Sequence, residues 1–333
     1  MSTITPPRAG TTADAPTNGG PKGKKGPKDP RIAALWRFAI SISVFTTIGL
    51  LFLGFEYSYA QPLVALLVAY ILEPVFEMLE CWSCDRPPRF MGNGFRGFIE
   101  FMLPAHITAL SVALLLYPGA RLLPIVFAVT VAIASKSILT LNIKGKKKHF
   151  MNPSNLGIVA TLLLFPSVGL AMPYQFTENV VHNPLSYLLP VFVLAAGTML
   201  NVQLTKKWPL ILGWVGGFVL QALLRDAIFH GPFLATLLPM TALVFWLYTN
   251  YMITDPGTTP MKPRNQVVFG LTTALIYGAL MMAHVVFAIF ICLAITCALR
   301  GLVIVAVQCS EALGWRREAA PAGVPRGARE VTS

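Results

Sequence analysis

Between residues 33 and 308, long apolar stretches alternate with short polar pieces. Each stretch is close to the roughly 20 residues that cross the hydrocarbon core of a bilayer as a helix. Ten of them stand out, at 33–54, 60–80, 100–118, 121–141, 155–172, 185–204, 208–225, 232–250, 265–283 and 285–308. The last two form one run in which Arg300 is the only charged side chain. A single helix of about 40 residues would be about 60 Å long, twice the hydrocarbon thickness, so a turn must divide it. Ala283-His284 is the expected turn. The pattern predicts an all-α integral membrane protein of about ten transmembrane helices.

The polar pieces then set an orientation. With the N-terminus inside, the inside pieces hold the cations from Arg8 to Arg31, then Arg86, Arg89, Arg96, Lys144, Lys146, Lys147, Lys148, Lys206, Lys207, Lys262, Arg264, Arg316, Arg317, Arg326 and Arg329. The outside pieces hold only Arg121 and Arg225, and 173–184 has Glu178 and no cation. Positive charge collects on the cytoplasmic side of membrane proteins. Both termini are therefore expected in the cytoplasm. Residues 1–30 and 311–333 read as disordered basic tails around a membrane domain at 31–310.

Composition agrees. The chain is 55% hydrophobic and 12% charged, with a mean hydropathy of +0.64. A net charge of +12 would suit nucleic acid if it were gathered on a soluble face. Here the cations are scattered between spans, so the expected partner is the lipid bilayer and not nucleic acid.

Two polar segments carry candidate chemistry. In Lys148-His149-Phe150-Met151-Asn152-Pro153-Ser154-Asn155-Leu156-Gly157, Asn152 or Ser154 can cap a helix and Pro153 fits its first turn. A helix N-terminus offers bare N–H donors to phosphate, carboxylate or carbonyl oxygens. A plain helix cap is the competing reading. In Thr254-Asp255-Pro256-Gly257-Thr258-Thr259-Pro260, two prolines and a glycine exclude a regular helix. Such backbone is tolerated at membrane depth only where protein buries it or it lines a cavity; an ordinary loop is the competing reading. The prolines Pro153 and Pro256 also hint at an internal repeat of two five-helix halves.

Together these segments resemble the membrane family that holds the B subunit of the sodium-pumping NADH:quinone reductase and the D subunit of the Rnf complex. The family's Lys-His-x-x-Asn-Pro-Ser/Thr segment is matched by residues 148–154, and its Thr-Asp-Pro-x-Thr/Ser-x-Pro-like segment by residues 254–260. The basic tail and the stretch Asn201-Val-Gln-Leu-Thr-Lys-Lys-Trp-Pro-Leu210 are similar to divergent members encoded in enediyne antibiotic clusters of actinobacteria. The resemblance implies a urea-channel-like fold in two five-helix halves and a role in enediyne biosynthesis. It implies a flavin- or quinone-type electron-transfer subunit that works with redox or biosynthetic partner proteins. The binding residues would be His149, Asn152, Pro153, Ser154, Asn155, Thr254, Asp255, Gly257, Thr258 and Thr259. The family's Ser-Gly-Ala-Thr segment, whose threonine carries FMN, is missing, and Thr177 stands in a different context. Covalent FMN is therefore not expected, and a noncovalent flavin, FMN or riboflavin, is. The same fold supports a rival reading as a channel or transporter for a small molecule, and a third as a membrane anchor for soluble enzymes.

Other polar residues stand apart from these segments. Glu73, Glu77 and Glu80 share one helix face by their spacing. Glu73 and Glu77 are candidates for a proton or ion relay, against a structural ion pair with Lys136 or Arg300. Cys81 and Cys84 form a lone CxxC, which supplies half of a four-ligand metal site, and no metal is expected. His106 reads as a hydrogen-bonded core residue, and Gly213, Gly216 and Gly217 as close helix contacts.

Overall fold

The computed structural model describes residues 30–92, 94–143, 145–170, 179, 191, 195, 197–199 and 201–318. Most of the two expected tails and of the expected helix at 185–204 lies outside these residues, with Thr177 and Glu178. The chain is mostly helical. Among the described residues, six helices are long and apolar enough to cross a membrane, or seven if Phe233–Thr241 and Val244–Met252 count as one span bent by 71°. These are the helices of a multi-pass membrane protein.

Helix α1 (Pro30–Ile48) runs on into a wider π turn at Gly49–Leu53. Next come α2 (Ala60–Cys84) and α3 (Gly94–Leu115), which carry Pro74 and Pro104 in their interiors. Strand β1 (Leu116–Tyr117) then leads to α4 (Leu123–Ile138), β2 (Thr140–Ile143), β3 (Lys146–His149), α5 (Pro153–Leu164) and β4 (Gly169–Leu170). The second half holds α6 (Trp208–Phe229), α7 (Phe233–Leu237), α8 (Leu243–Leu247), α9 (Pro263–Met282) and α10 (Ala288–Glu318).

Three expected spans come out differently. Helix α4 has 16 residues and α5 has 12, so they reach about 24 and 18 Å against a core of about 30 Å. The basic stretch after α4 folds into an antiparallel hairpin that pairs Thr140 with His149 and Ile143 with Lys146. Gly145, at φ +73°, makes its turn. Helix α5 stops early because Pro166 forces Phe165 out of helical geometry, to φ −116° and ψ 88°. The span expected at 232–250 is broken at Ala242, which is extended at ψ 137°. The turn at Ala283-His284 is present, with His284 at φ +58°. Residues 311–318 continue α10 instead of starting a tail.

Helices α6 and α9 pack backbone against backbone. A Cβ added at Gly213 would sit 2.5 Å from the Val267 carbonyl oxygen, and one at Gly217 2.8 Å from the Ala274 Cβ. Gly216 faces open space and takes no part. Beside this pair lies an aromatic core of Trp214, Phe218, Phe245, Tyr248 and Phe290. Trp214 Nε1 donates to Thr249 Oγ1 at 3.0 Å, which satisfies the one polar atom of that buried ring.

The connecting segments meet in two groups. Lys147 pairs with Glu80 at 3.1 Å, Gln308 donates to the Asn142 carbonyl, and Phe150 lies against Gly301. A second group joins Leu116 to Leu170 through β1 and β4, and Arg121 to Ser167 at 3.3 Å. Gln61 ties α2 into that group through the carbonyls of Ala113 and Leu116.

Candidate functional site

The two Pro-centred segments, about 100 residues apart in sequence, lie against each other. Asn152 adopts extended backbone at ψ 119° and caps α5, its Oδ1 accepting from Asn155 N at 3.0 Å, with Pro153 in the first turn. The Ser154 hydroxyl donates to the same oxygen at 3.0 Å. Asn152 Nδ2 points the other way and donates to the Met252 carbonyl at 2.9 Å. The His149 ring lies over Gly257, where a Cβ would approach Nε2 to 2.8 Å and Asp255 Oδ2 to 3.3 Å.

The 252–260 segment is irregular and largely buried. Thr254, Thr258 and Thr259 are each less than 5% exposed. Its backbone needs donors, since a buried, unpaired carbonyl is costly. Side chains from three elements supply them: Asn152 to Met252, Arg300 of α10 to Thr258, and Lys207, just ahead of α6, to Pro260 at 2.7 Å. Inside the segment, Asp255 accepts from Gly257 N at 3.2 Å and from the Thr258 hydroxyl at 2.9 Å. The Thr254 and Thr259 hydroxyls donate to the carbonyls of Asn250 and Asp255 at 2.6 Å each.

All ten expected binding residues therefore fall in one region, mostly holding the broken backbone in place. Sequence reasoning missed the two cations. Lys207 counted only as an orientation charge and Arg300 only as a partner for Glu73. One signal was present: Lys207 stands at the N-terminus of α6, where the helix dipole disfavours a cation. Its ammonium is there for the 252–260 segment instead. Three charges thus share the site, Lys207 and Arg300 against Asp255, leaving a net positive balance. Among the described residues, Asn155 Oδ1 is buried with no donor, although Asn155 Nδ2 is bonded to the Phe290 carbonyl at 3.0 Å.

Lys207 is fully buried. Burial pushes its ammonium down to about 8, with Arg300 acting in the same direction and Asp255 partly opposing. Between pH 8 and the ordinary value of 10.5 the unfolded chain binds a proton that the folded chain has lost. Folding stability should therefore rise with pH across that window. The rise should be roughly 2 kcal/mol after a discount for residual hydration. Unfolding midpoints in detergent, compared between the natural chain and Lys207→Met, test it: the variant should show a flatter pH dependence. Identical profiles would place the titration elsewhere.

The carboxylate row on α2 is paired throughout. Glu73 meets Lys136 at 3.1 Å, not Arg300. Glu77 accepts from Arg86 Nη1 at 2.7 Å and from Arg89 N at 2.9 Å, and Glu80 meets Lys147. These contacts fasten the segment after α2 and the β2–β3 hairpin to one helix face. Cys81 donates to Glu77 at 3.5 Å and Cys84 is exposed. No group of three or more His, Cys, Asp or Glu side chains is placed to hold a metal ion among the described residues.

No protein-family model matches this chain, and no curated protein matches it either.

Proposed function

We propose that this chain is a ten-span subunit of a bacterial plasma membrane, with both termini cytoplasmic, that holds a noncovalent flavin between its two Pro-centred segments. The grouping of the connecting segments supports the topology. The Lys147–Glu80 and Gln308–Asn142 contacts lie at the span ends that the charge pattern puts inside, and the Leu116–Leu170 and Arg121–Ser167 contacts at the span ends that it puts outside. The short helices α4 and α5, the bent pair and the expected helix at 185–204 supply the spans beyond the six long ones.

The observation that carries the ligand is the convergence of Lys207, Arg300 and the start of α5 on one polar region with a spare buried acceptor. Lys207 and Arg300 suit the phosphate or ring oxygens of a flavin, and Asn155 Oδ1 suits a ring N–H. A flavin bound there would supply reversible electron uptake. The protein's own share is to hold the ring edge, neutralise charge and keep water from it. Electrons would pass to and from a partner protein, in keeping with a role in enediyne biosynthesis suggested by the resemblance.

The protein purified in mild detergent should be yellow, and the flavin should leave on denaturation because no covalent link holds it. Arg300→Gln should lower the bound flavin about tenfold by removing one charge-assisted contact. A colourless preparation to which added FMN or riboflavin does not bind would overturn the reading. A second reading, transport of a small anionic solute, is favoured by one feature. The 12-residue α5 begins where the 71° bent pair ends, at the Asn152–Met252 bond, as discontinuous helices meet around transporter sites. Anion flux in vesicles that Arg300→Gln abolishes, from a flavin-free protein, would select it.

A further inference from the structure

The connection between α2 and α3 borders an open cavity of about 520 Å³ that none of the preceding chemistry uses. Arg89 of the connection lines it, with Arg96, Gly97, Glu100 and Phe101 from the first two turns of α3. Both helices are among those long and apolar enough to cross a membrane, so their connection lies at a bilayer surface. The same end of the pair exposes Trp82 and Phe95, which are 87% and 78% accessible. Large aromatic rings left exposed at a span end suit the headgroup level of a bilayer.

Arg89 is positioned by its backbone and not by its charge. Its N–H donates to Glu77 at 2.9 Å. The next residue, Phe90, packs on Phe98 and Phe101 of α3, with ring centroids 5.9 and 5.4 Å apart. The Arg89 guanidinium stays 3.7 and 3.9 Å from Glu77 and Glu80, beyond hydrogen-bond reach. Those carboxylates already accept from Arg86 and Lys147. Arg96 donates from Nε to Glu100 at 2.9 Å. Among the described residues, its two terminal nitrogens have no acceptor. The cavity thus meets two guanidinium forks with most of their donors unfilled, and one carboxylate that is already held. No acidic side chain in the first turn of α3 offsets the positive end of its dipole.

We propose that this cavity binds the phosphate headgroup of an anionic phospholipid. Arg89 and Arg96 hold the phosphodiester oxygens, as the planar forks of arginine do. The acyl chains run into the bilayer past the exposed rings of Phe95 and Phe98. Basic cavities between spans at the membrane surface are suited to anionic headgroups. A free phosphate offers the same oxygens but leaves the exposed rings beside the cavity without a partner.

Native mass spectrometry of the full chain in mild detergent counts retained lipid directly. Dioleoyl phosphatidylglycerol, titrated against a phosphatidylcholine background, should be retained at lower concentration than phosphatidylcholine. Arg89→Gln and Arg96→Gln should each raise the concentration needed about tenfold, as expected for one lost charge-assisted contact. Glu100→Gln should lower it about threefold, because it frees Arg96 and removes the one acid of the lining. A gain of that kind cannot come from misfolding. Arg37→Gln removes an exposed cation on α1, outside the cavity, and should change nothing. Phosphatidylglycerol held no better than phosphatidylcholine would overturn the proposal, as would a loss in Arg37→Gln as large as that in Arg89→Gln. Weaker retention in Glu100→Gln would also count against it. Displacement of the lipid by millimolar inorganic phosphate would overturn it too, by assigning the cavity to a soluble anion.

Discussion

Gly270→Leu should leave the protein unable to hold α6 against α9. A Cβ at Gly270 would lie 2.5 Å from the Leu210 carbonyl oxygen and 2.6 Å from Trp214 N. Both atoms are backbone of α6, so no side-chain rotation relieves the clash and the helices must separate. Overpacking in a core usually costs about 1–3 kcal/mol, and rigid backbone on both sides puts this case at about 3 kcal/mol or more. Lipid gives helices no hydrophobic reason to associate, so lost close packing is not recovered elsewhere. The displacement would also pull Trp214 from its bond to Thr249 and from its ring contacts with Phe245 and Tyr248. Unfolding midpoints in detergent should fall sharply, with Gly270→Ala intermediate. Gly216→Leu, on the same helix pair but facing open space, should be near neutral. If Gly270→Leu and Gly216→Leu were equally stable, the backbone contact would be wrong.

That pair shows which parts of the structure a sequence can announce. Gly213 and Gly217 were legible as close contacts because they interrupt an apolar span, but Gly216, read in the same way, faces open space. Gly270 was not legible, since its partner lies 57 residues earlier by the numbering of Gly213 and Gly270, and nothing local marks which face it presents. Asn152-Pro153 announced a capped helix through spacing alone, and the cap is present. The length of α5 was hidden, because Leu162, Leu163 and Leu164 continue the apolar pattern up to Pro166. The hairpin at 140–149 was hidden by its lysines, which read as orientation charges. Glu73 had two candidate cations at similar depth, and only tertiary packing chose Lys136. The same ambiguity concealed Arg300 and Lys207. Each reaches a carbonyl in the 252–260 segment, and carbonyls carry no side-chain signature.

Asn152→Ala should be the most damaging polar substitution in the candidate site. The side chain does two separable things. Its oxygen caps α5, and loss of a cap costs about 1 kcal/mol. Its nitrogen satisfies the carbonyl of Met252, which is only 3% exposed, and stranding a buried acceptor costs about 1–3 kcal/mol. The alanine variant should therefore lose about 2–4 kcal/mol, read as a fall in the unfolding midpoint. Asn152→Ser divides the two effects. Its hydroxyl can cap the helix but is too short to reach Met252, so it should recover only the cap. A serine variant as stable as the natural chain would mean that the tie to Met252 contributes nothing. Ligand retention should follow the second effect and not the first. The Met252 bond is what holds the 252–260 segment, with Asp255 and the carbonyls that engage Lys207 and Arg300, against the start of α5. Both variants should consequently lose bound flavin or anion flux alike, while differing in stability. Binding that tracked stability instead would reduce Asn152 to a helix cap and move the functional centre away from this junction.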